Sequence, residues 1–152
     1  MTYRSMEIKV KKIGPEEREQ VEIRCHEISD SGREIVAFVK SRQGQLTGNA
    51  EGRQYEIPIT DVFYIESVDN RSFLYTARQT YETKQKIYEL EAALRQKGFL
   101  RISKAALVNL MKITALKPAL NGRFSAVLSN GEEIIISRKY VQDLKDTLKG
   151  GK

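Results

Sequence analysis

From Tyr55 onward the chain is a succession of short apolar runs broken by polar turns, and that punctuation constrains its fold more than any other feature. Tyr55–Ile59, Val62–Val68, Ser72–Thr76 and Thr80–Thr83 read as strands, with Asp69-Asn70-Arg71 and Ala77-Arg78-Gln79 as the turns between them. Ile87, Leu90 and Leu94 then fall on one face of a helix over residues 85–97, and Lys97-Gly98 supplies a basic last turn and a terminating glycine. Leu100–Ile102 and Leu107–Asn109 flank polar Ser103-Lys104 and the small pair Ala105-Ala106. Ile113–Leu116 stops before Pro118. Asn121-Gly122 is the strongest short hairpin signal in the chain, and Arg123–Leu128 returns from it. A second turn at Ser129-Asn130-Gly131 leads into Glu132–Ile136, and Ser137 stands as the N-cap of a last helix carrying Val141, Leu144 and Leu148. Short strands joined by tight turns predict an α+β fold that is mostly antiparallel β.

The first third has a different texture. Met6–Ile13 and Gln20–Ile28 alternate apolar and polar residues around Gly14-Pro15 and predict two strands. The second pattern puts Cys25 on a buried face and His26 on the opposite one. Ser31 and Glu34 match a capping box opening a helix over residues 32–42, with Ile35, Phe38 and Val39 on its apolar face. The expected organisation is thus a small strand–strand–helix segment over 1–45, a glycine-rich linker over 46–53 and a main domain over 54–149. Three small elements make a weak core, so the segment is expected to lean on the main domain or on a second chain.

With 152 residues, 40% of them hydrophobic and 30% charged, the chain holds one domain, or one domain plus a small appendage. That balance excludes wholesale disorder, collagen and disulfide scaffolds. No window approaches the ~18 consecutive apolar residues of a membrane span and the start lacks a signal-peptide core, which predicts a soluble cytoplasmic protein. A single cysteine and a single histidine rule out a Cys/His zinc site. Phosphate-loop, dinucleotide, nucleophile-elbow and zinc-protease motifs are all missing, so neither a cofactor nor an enzyme activity is expected.

The net charge of +6 is not evenly spread: residues 99–152 carry 10 basic and 4 acidic residues, while the rest of the chain is balanced. A polyanion is the natural partner of such a surface. Three polar and basic spots interrupt the apolar runs: Asn70-Arg71-Ser72, Arg101 to Lys104, and Ser137-Arg138-Lys139. Each taken singly reads as a hairpin tip or a helix cap. Arg138 and Lys139 stand out because cations in a first helical turn oppose the positive end of the helix dipole. A helix N-terminus and two cations together suit phosphate or a guanine edge.

These residues carry a resemblance. Ile57–Ser67, Gly98–Lys104 with Leu107–Leu110, and Leu128–Glu133 with Ile136–Tyr140 follow one family in order and spacing. Residues 54–149 resemble LytTR, the DNA-binding output domain of many bacterial transcription regulators. The resemblance implies an elongated β fold with short helices that sets loops into successive major grooves of double-stranded DNA. It assigns base contacts to Arg138 and Lys104, and to Asn70, Arg71 and Ser72 in a loop where some members carry a histidine. It assigns phosphate contacts to Lys139, Arg101, Ser103, Lys112 and Ser137. Many members begin with a phosphoacceptor receiver domain of ~120 residues, which a segment of some 50 residues does not hold. The chain is therefore expected to resemble stand-alone members, some of them encoded beside a small membrane protein, and to bind tandem half-sites as a homodimer. The competing readings are an RNA-binding module, disfavoured by the few aromatics of the last third, and an adaptor whose basic face meets an acidic protein.

Overall fold

The computed structural model describes residues Met6–Gly150. Helix α1 (Asp30–Arg42) is followed by strands β1 (Gln45–Ala50), β2 (Arg53–Pro58), β3 (Val62–Val68), β4 (Arg71–Thr76) and β5 (Thr80–Thr83). Helix α2 (Ile87–Leu94) leads to β6 (Phe99–Ser103) and β7 (Ala106–Asn109). Then come β8 (Ile113–Pro118), β9 (Phe124–Leu128), β10 (Glu133–Ile136) and helix α3 (Arg138–Gly150). Seven strands form one sheet in the order β2-β1-β5-β4-β3-β7-β6, and β10-β9-β8 form a second. Every pairing is antiparallel, as the turn-punctuated sequence predicts.

Alternation along the central strands sorts the side chains onto two cores. Ile65, Leu74, Phe99 and Leu107 join Leu90 and Leu94 of α2 on one face. Phe63, Leu100, Ile102 and Val108 meet Ala126, Leu128 and Ile136 of the small sheet and Leu144 of α3 on the other. Strand β7 is buried along its whole length because both faces are covered. Asn109 at its end donates a side-chain hydrogen bond to the Val62 carbonyl at 2.9 Å, tying β7 to the start of β3.

Several expectations for the first third are corrected. Neither Met6–Ile13 nor Gln20–Ile28 is a strand. An alternating run needs a neighbouring backbone to pair with, and the described residues provide none there. Ile8 is 88% and Val10 93% exposed, and Cys25 is exposed rather than buried. The cap of α1 is Ser29, whose hydroxyl accepts from Gly32 N–H at 3.1 Å, and not Ser31. The stretch read as a linker is strand β1 with its turn to β2. Gly48 allows this: a methyl group there would lie 2.7 Å from both Ile57 Cδ1 and Tyr81 Cβ, so the glycine marks a close approach inside the sheet. Helix α1 packs on its own chain through its C-terminal half. Lys40 Nζ lies 3.0 Å from Glu56, Arg42 donates to Gln96 at 2.6 Å, and the α1-to-β1 turn holds Ile59 N–H through the Gly44 carbonyl. Ile35 and Phe38 remain substantially exposed.

Candidate nucleic-acid interface

Four loops converge at one end of the molecule, and the strand pairings explain why. β7 runs antiparallel to β3, so Ser67 N–H reaches the Ala105 carbonyl at 2.7 Å and draws the β3–β4 hairpin beside the β6–β7 turn. Ser137 N–H donates to the Ile102 carbonyl at 2.8 Å, which seats the start of α3 on the end of β6. Phe124 pairs with Ile136, which brings the β8–β9 tip to the same end. The three basic spots of the sequence are thus neighbours in space.

The β3–β4 tip is Asp69-Asn70, both at positive φ (52° and 63°) between the paired residues Val68 and Arg71, a two-residue turn of the type that follows strand twist. Asn70 is exposed at that tip. Arg71 lies beside it, but its guanidinium grips Glu82 with Nε at 2.9 Å and Nη2 at 2.6 Å. This bond and the opposite charge hold Arg71 above its ordinary pKa and draw the Glu82 carboxyl below the usual carboxylate range. An exposed pair of this kind contributes little to stability, so it exchanges readily for another anion. Ser72 is 3% exposed, paired between Ser67 and Thr83 in the sheet interior. Its burial removes it from the set of base-contacting candidates.

In the β6–β7 turn the Ser103 hydroxyl accepts from Ala105 N–H at 3.2 Å and Lys104 is exposed. Arg101, expected on phosphate, is turned inward. Nη1 donates to Glu91 at 2.6 Å, Nε donates to the Ser103 carbonyl at 2.9 Å, and Nη2 donates to the Lys104 carbonyl. Each nitrogen of its fork donates to a partner within the protein, which leaves only the second hydrogens of Nη1 and Nη2.

Ser137 immediately precedes α3, and its carbonyl accepts from Tyr140 N–H at 2.8 Å. Arg138 and Lys139 in the first turn are exposed. The stem of Arg138 lies across the β8–β9 tip: a methyl group on Gly122 would come 2.8 Å from Arg138 Cδ and 3.1 Å from Cγ. Asn121 and Gly122 both take positive φ (61° and 76°), the conformation their sequence predicts. Arg123, beside them, is an exposed cation. The Asn-Gly signal announced this turn, but nothing local in the sequence placed it against Arg138.

Lys112 does not join the cluster. It lies beyond the far end of β7, in the Leu110–Lys112 turn, so the whole four-residue strand, about 13 Å long, separates it from the β6–β7 turn. There its ammonium rests 4.6 Å from the centroid of the Phe63 ring. Lys104, Arg123, Arg138 and Lys139 take part in no ion pair among the described residues, so the convergent end carries four uncompensated cations.

Residues 52–149 match the model of the LytTr DNA-binding domain. The chain belongs to the LytTR family. Its relatives include the sensory transduction protein LytT of Bacillus anthracis, 30% identical over 93 residues; this covers 61% of the chain but 38% of that protein. An uncharacterized HTH-type transcriptional regulator of Staphylococcus aureus is 27% identical over 130 residues, covering 84% of the chain and 88% of the relative. Among solved structures, a LytTr DNA-binding domain from Bacillus cereus shares the fold, with a TM-score of 0.66 and 24% identity over 69% of this chain and 96% of that one. The LytTR match begins at Gly52, in the turn between β1 and β2, although β1 hydrogen-bonds into the same seven-stranded sheet. Strand β1 and helix α1 precede that match along the chain, β1 within the same sheet and α1 packed against it.

Proposed function

We propose that this LytTR chain is a transcription regulator that binds double-stranded DNA sequence-specifically, setting the loops of its convergent end into successive major grooves on one side of the duplex. The observation that carries the reading is the convergence itself. Two backbone hydrogen bonds, Ser67 to Ala105 and Ser137 to Ile102, bring Asn70, Lys104 and Arg138 to one end, where Arg123 and Lys139 add two more cations that take part in no ion pair among the described residues. Arg138, Lys104 and Asn70 are the base readers in this proposal. Arg138 has the fork geometry that pairs with guanine O6 and N7. Lys139, Ser137, Ser103 and Arg123 hold phosphates, and Arg71 joins them by trading Glu82 for a phosphate. Two copies bind tandem half-sites as a homodimer.

Selection of binding sites from a randomised duplex pool, followed by titration of the selected duplex, a random duplex and a single-stranded RNA at matched salt, tests the proposal. The expected outcome is an enriched motif bound ~10³-fold or more above random duplex. No enrichment with equal affinity for all three overturns it, and preference for the RNA replaces it with the RNA-binding reading.

A further inference from the structure

We infer that Arg101 is a positioning residue rather than a DNA contact: anchored by Glu91 of α2, it clamps the β6–β7 turn and fixes the direction in which Lys104 leaves it. The inference rests on the proposed role of Lys104 as a base reader.

The pairing of β6 with β7 is irregular between Arg101 and Ser103, where the ladder shifts register. Ser103 pairs with Ala106 across the two-residue turn Lys104-Ala105, but neither turn residue takes the positive φ of the primed turns that follow strand twist, and the register shift uncouples the turn from the ladder behind it, so something else has to fix its direction. The Arg101 guanidinium does so from inside. One plane of donors reaches the Ser103 and Lys104 carbonyls, two successive acceptors of the turn, while Nη1 holds Glu91 at 2.6 Å. Both side chains are largely covered, 17% exposed for Arg101 and 29% for Glu91. The fork is rigid and planar, so fixing one edge on Glu91 fixes the other edge on the turn. A lysine cannot hold three acceptors in one plane. The contrast with Arg71 is informative: its fork holds one carboxylate at the surface with a side-chain exposure of 61%, whereas that of Arg101 is enclosed and spread over three partners.

The charge of Glu91 gives the inference a test whose sign is diagnostic. Replacing a carboxylate by an amide on a protein that binds a polyanion strengthens binding if only long-range electrostatics matter. If Glu91 holds the clamp, Glu91→Gln instead weakens binding to the selected duplex by about fivefold to tenfold while random-duplex binding stays level or rises. Arg101→Lys keeps the positive charge and loses the fork, so it is expected to lose discrimination in the same way with an unchanged salt slope. In a double-variant cycle, Glu91→Gln added to Lys104→Ala is expected to cost no more than Lys104→Ala alone, because both act through one side chain.

Additive losses, or tighter binding of Glu91→Gln to both duplexes, overturn the clamp. A shallower salt slope for Arg101→Lys restores Arg101 to phosphate contact. Failure of the underlying reading looks different: Lys104→Ala itself then leaves the selected motif unchanged. A thermal melt of each variant separates misfolding from misplacement, and Glu91→Gln, which keeps the size of the side chain but gives up the charge that holds the guanidinium, is the variant that decides.

Discussion

Arg138 stands in the first turn of α3, where the helix dipole disfavours a cation, and its stem rests on Gly122, where no side chain intervenes. Arg138→Ala is expected to leave folding intact and to lose ~1–3 kcal/mol on the selected duplex, with a smaller loss on random duplex, measured by anisotropy titration. Gly122→Ala tests the seat rather than the reader. The φ of 76° strains any L side chain, and the new methyl displaces the Arg138 stem. A stability loss of about 1 kcal/mol from backbone strain, together with reduced discrimination between the two duplexes, is the expected result. Full discrimination in a Gly122→Ala protein would show that Arg138 is placed by something other than this contact. Lys112→Ala separates the two ends of β7. Its ammonium faces Phe63, so the change is expected to lower stability by about 0.5–1 kcal/mol and to leave the salt slope of DNA binding unaltered.

At the scale of elements, the two sheets are joined on their outer side by Tyr64 of β3, whose hydroxyl donates to Glu132 in the β9–β10 turn at 2.7 Å while its ring stacks on Tyr75. Burial, and then the hydrogen bond and charge of Glu132, push the Tyr64 pKa up. A raised folded-state pKa means that this contribution is fully present below the unfolded tyrosine value of about 10 and is lost as pH rises through the folded value. Tyr64→Phe is expected to remove about 1 kcal/mol at neutral pH and to flatten the alkaline fall in melting temperature. An unchanged alkaline profile in Tyr64→Phe would assign that fall to other groups. Strand β1 shows how an element escapes a reading of its residues one by one. Thr47, Gly48 and Asn49 are turn formers by composition, yet Leu46 and Gly48 are buried and pair with β2, because a bare glycine lets Ile57 and Tyr81 close over it. Cβ crowding at 2.7 Å predicts that Gly48→Ala destabilises by about 1–3 kcal/mol, read by chemical denaturation.

For the whole molecule, the four free cations at the convergent end of each chain and two chains on tandem half-sites give a slope of log K against log salt of about −7, and a single chain gives about half of that. A slope near zero removes the electrostatic basis of the proposed function. Two deletions separate the roles of the N-terminal region. Residues 6–28 make no strand pairing, so their removal is expected to leave the melting temperature nearly unchanged. Removal through Gly44 takes away α1 with its Glu56, Gln96 and Ile59 contacts, and is expected to lower the melting temperature by several degrees. Sedimentation of both shortened chains beside the full chain shows whether the exposed apolar residues Ile8, Val10 and Phe38 support self-association.

Period-two alternation between turn signals identified the main-domain strands, and helical spacing identified α2 and α3, because side-chain periodicity and turn chemistry are properties of neighbouring residues. The same local logic found the basic spots at 70–72, 101–104 and 137–139. It failed where the outcome depended on a distant backbone. Two alternating N-terminal runs stayed unpaired for want of a partner strand, while a glycine-rich stretch became β1 because β2 and β5 were there to receive it. Nor does sequence show which cations are free. Arg101 and Arg71 read like Lys104 and Arg138 along the chain, but Glu91 and Glu82 arrive beside the first two only when α2 and β5 are in place. Hydrogen bonds and ion pairs act over a few ångströms, and residues 10 or 11 positions apart are brought within that range by tertiary structure alone.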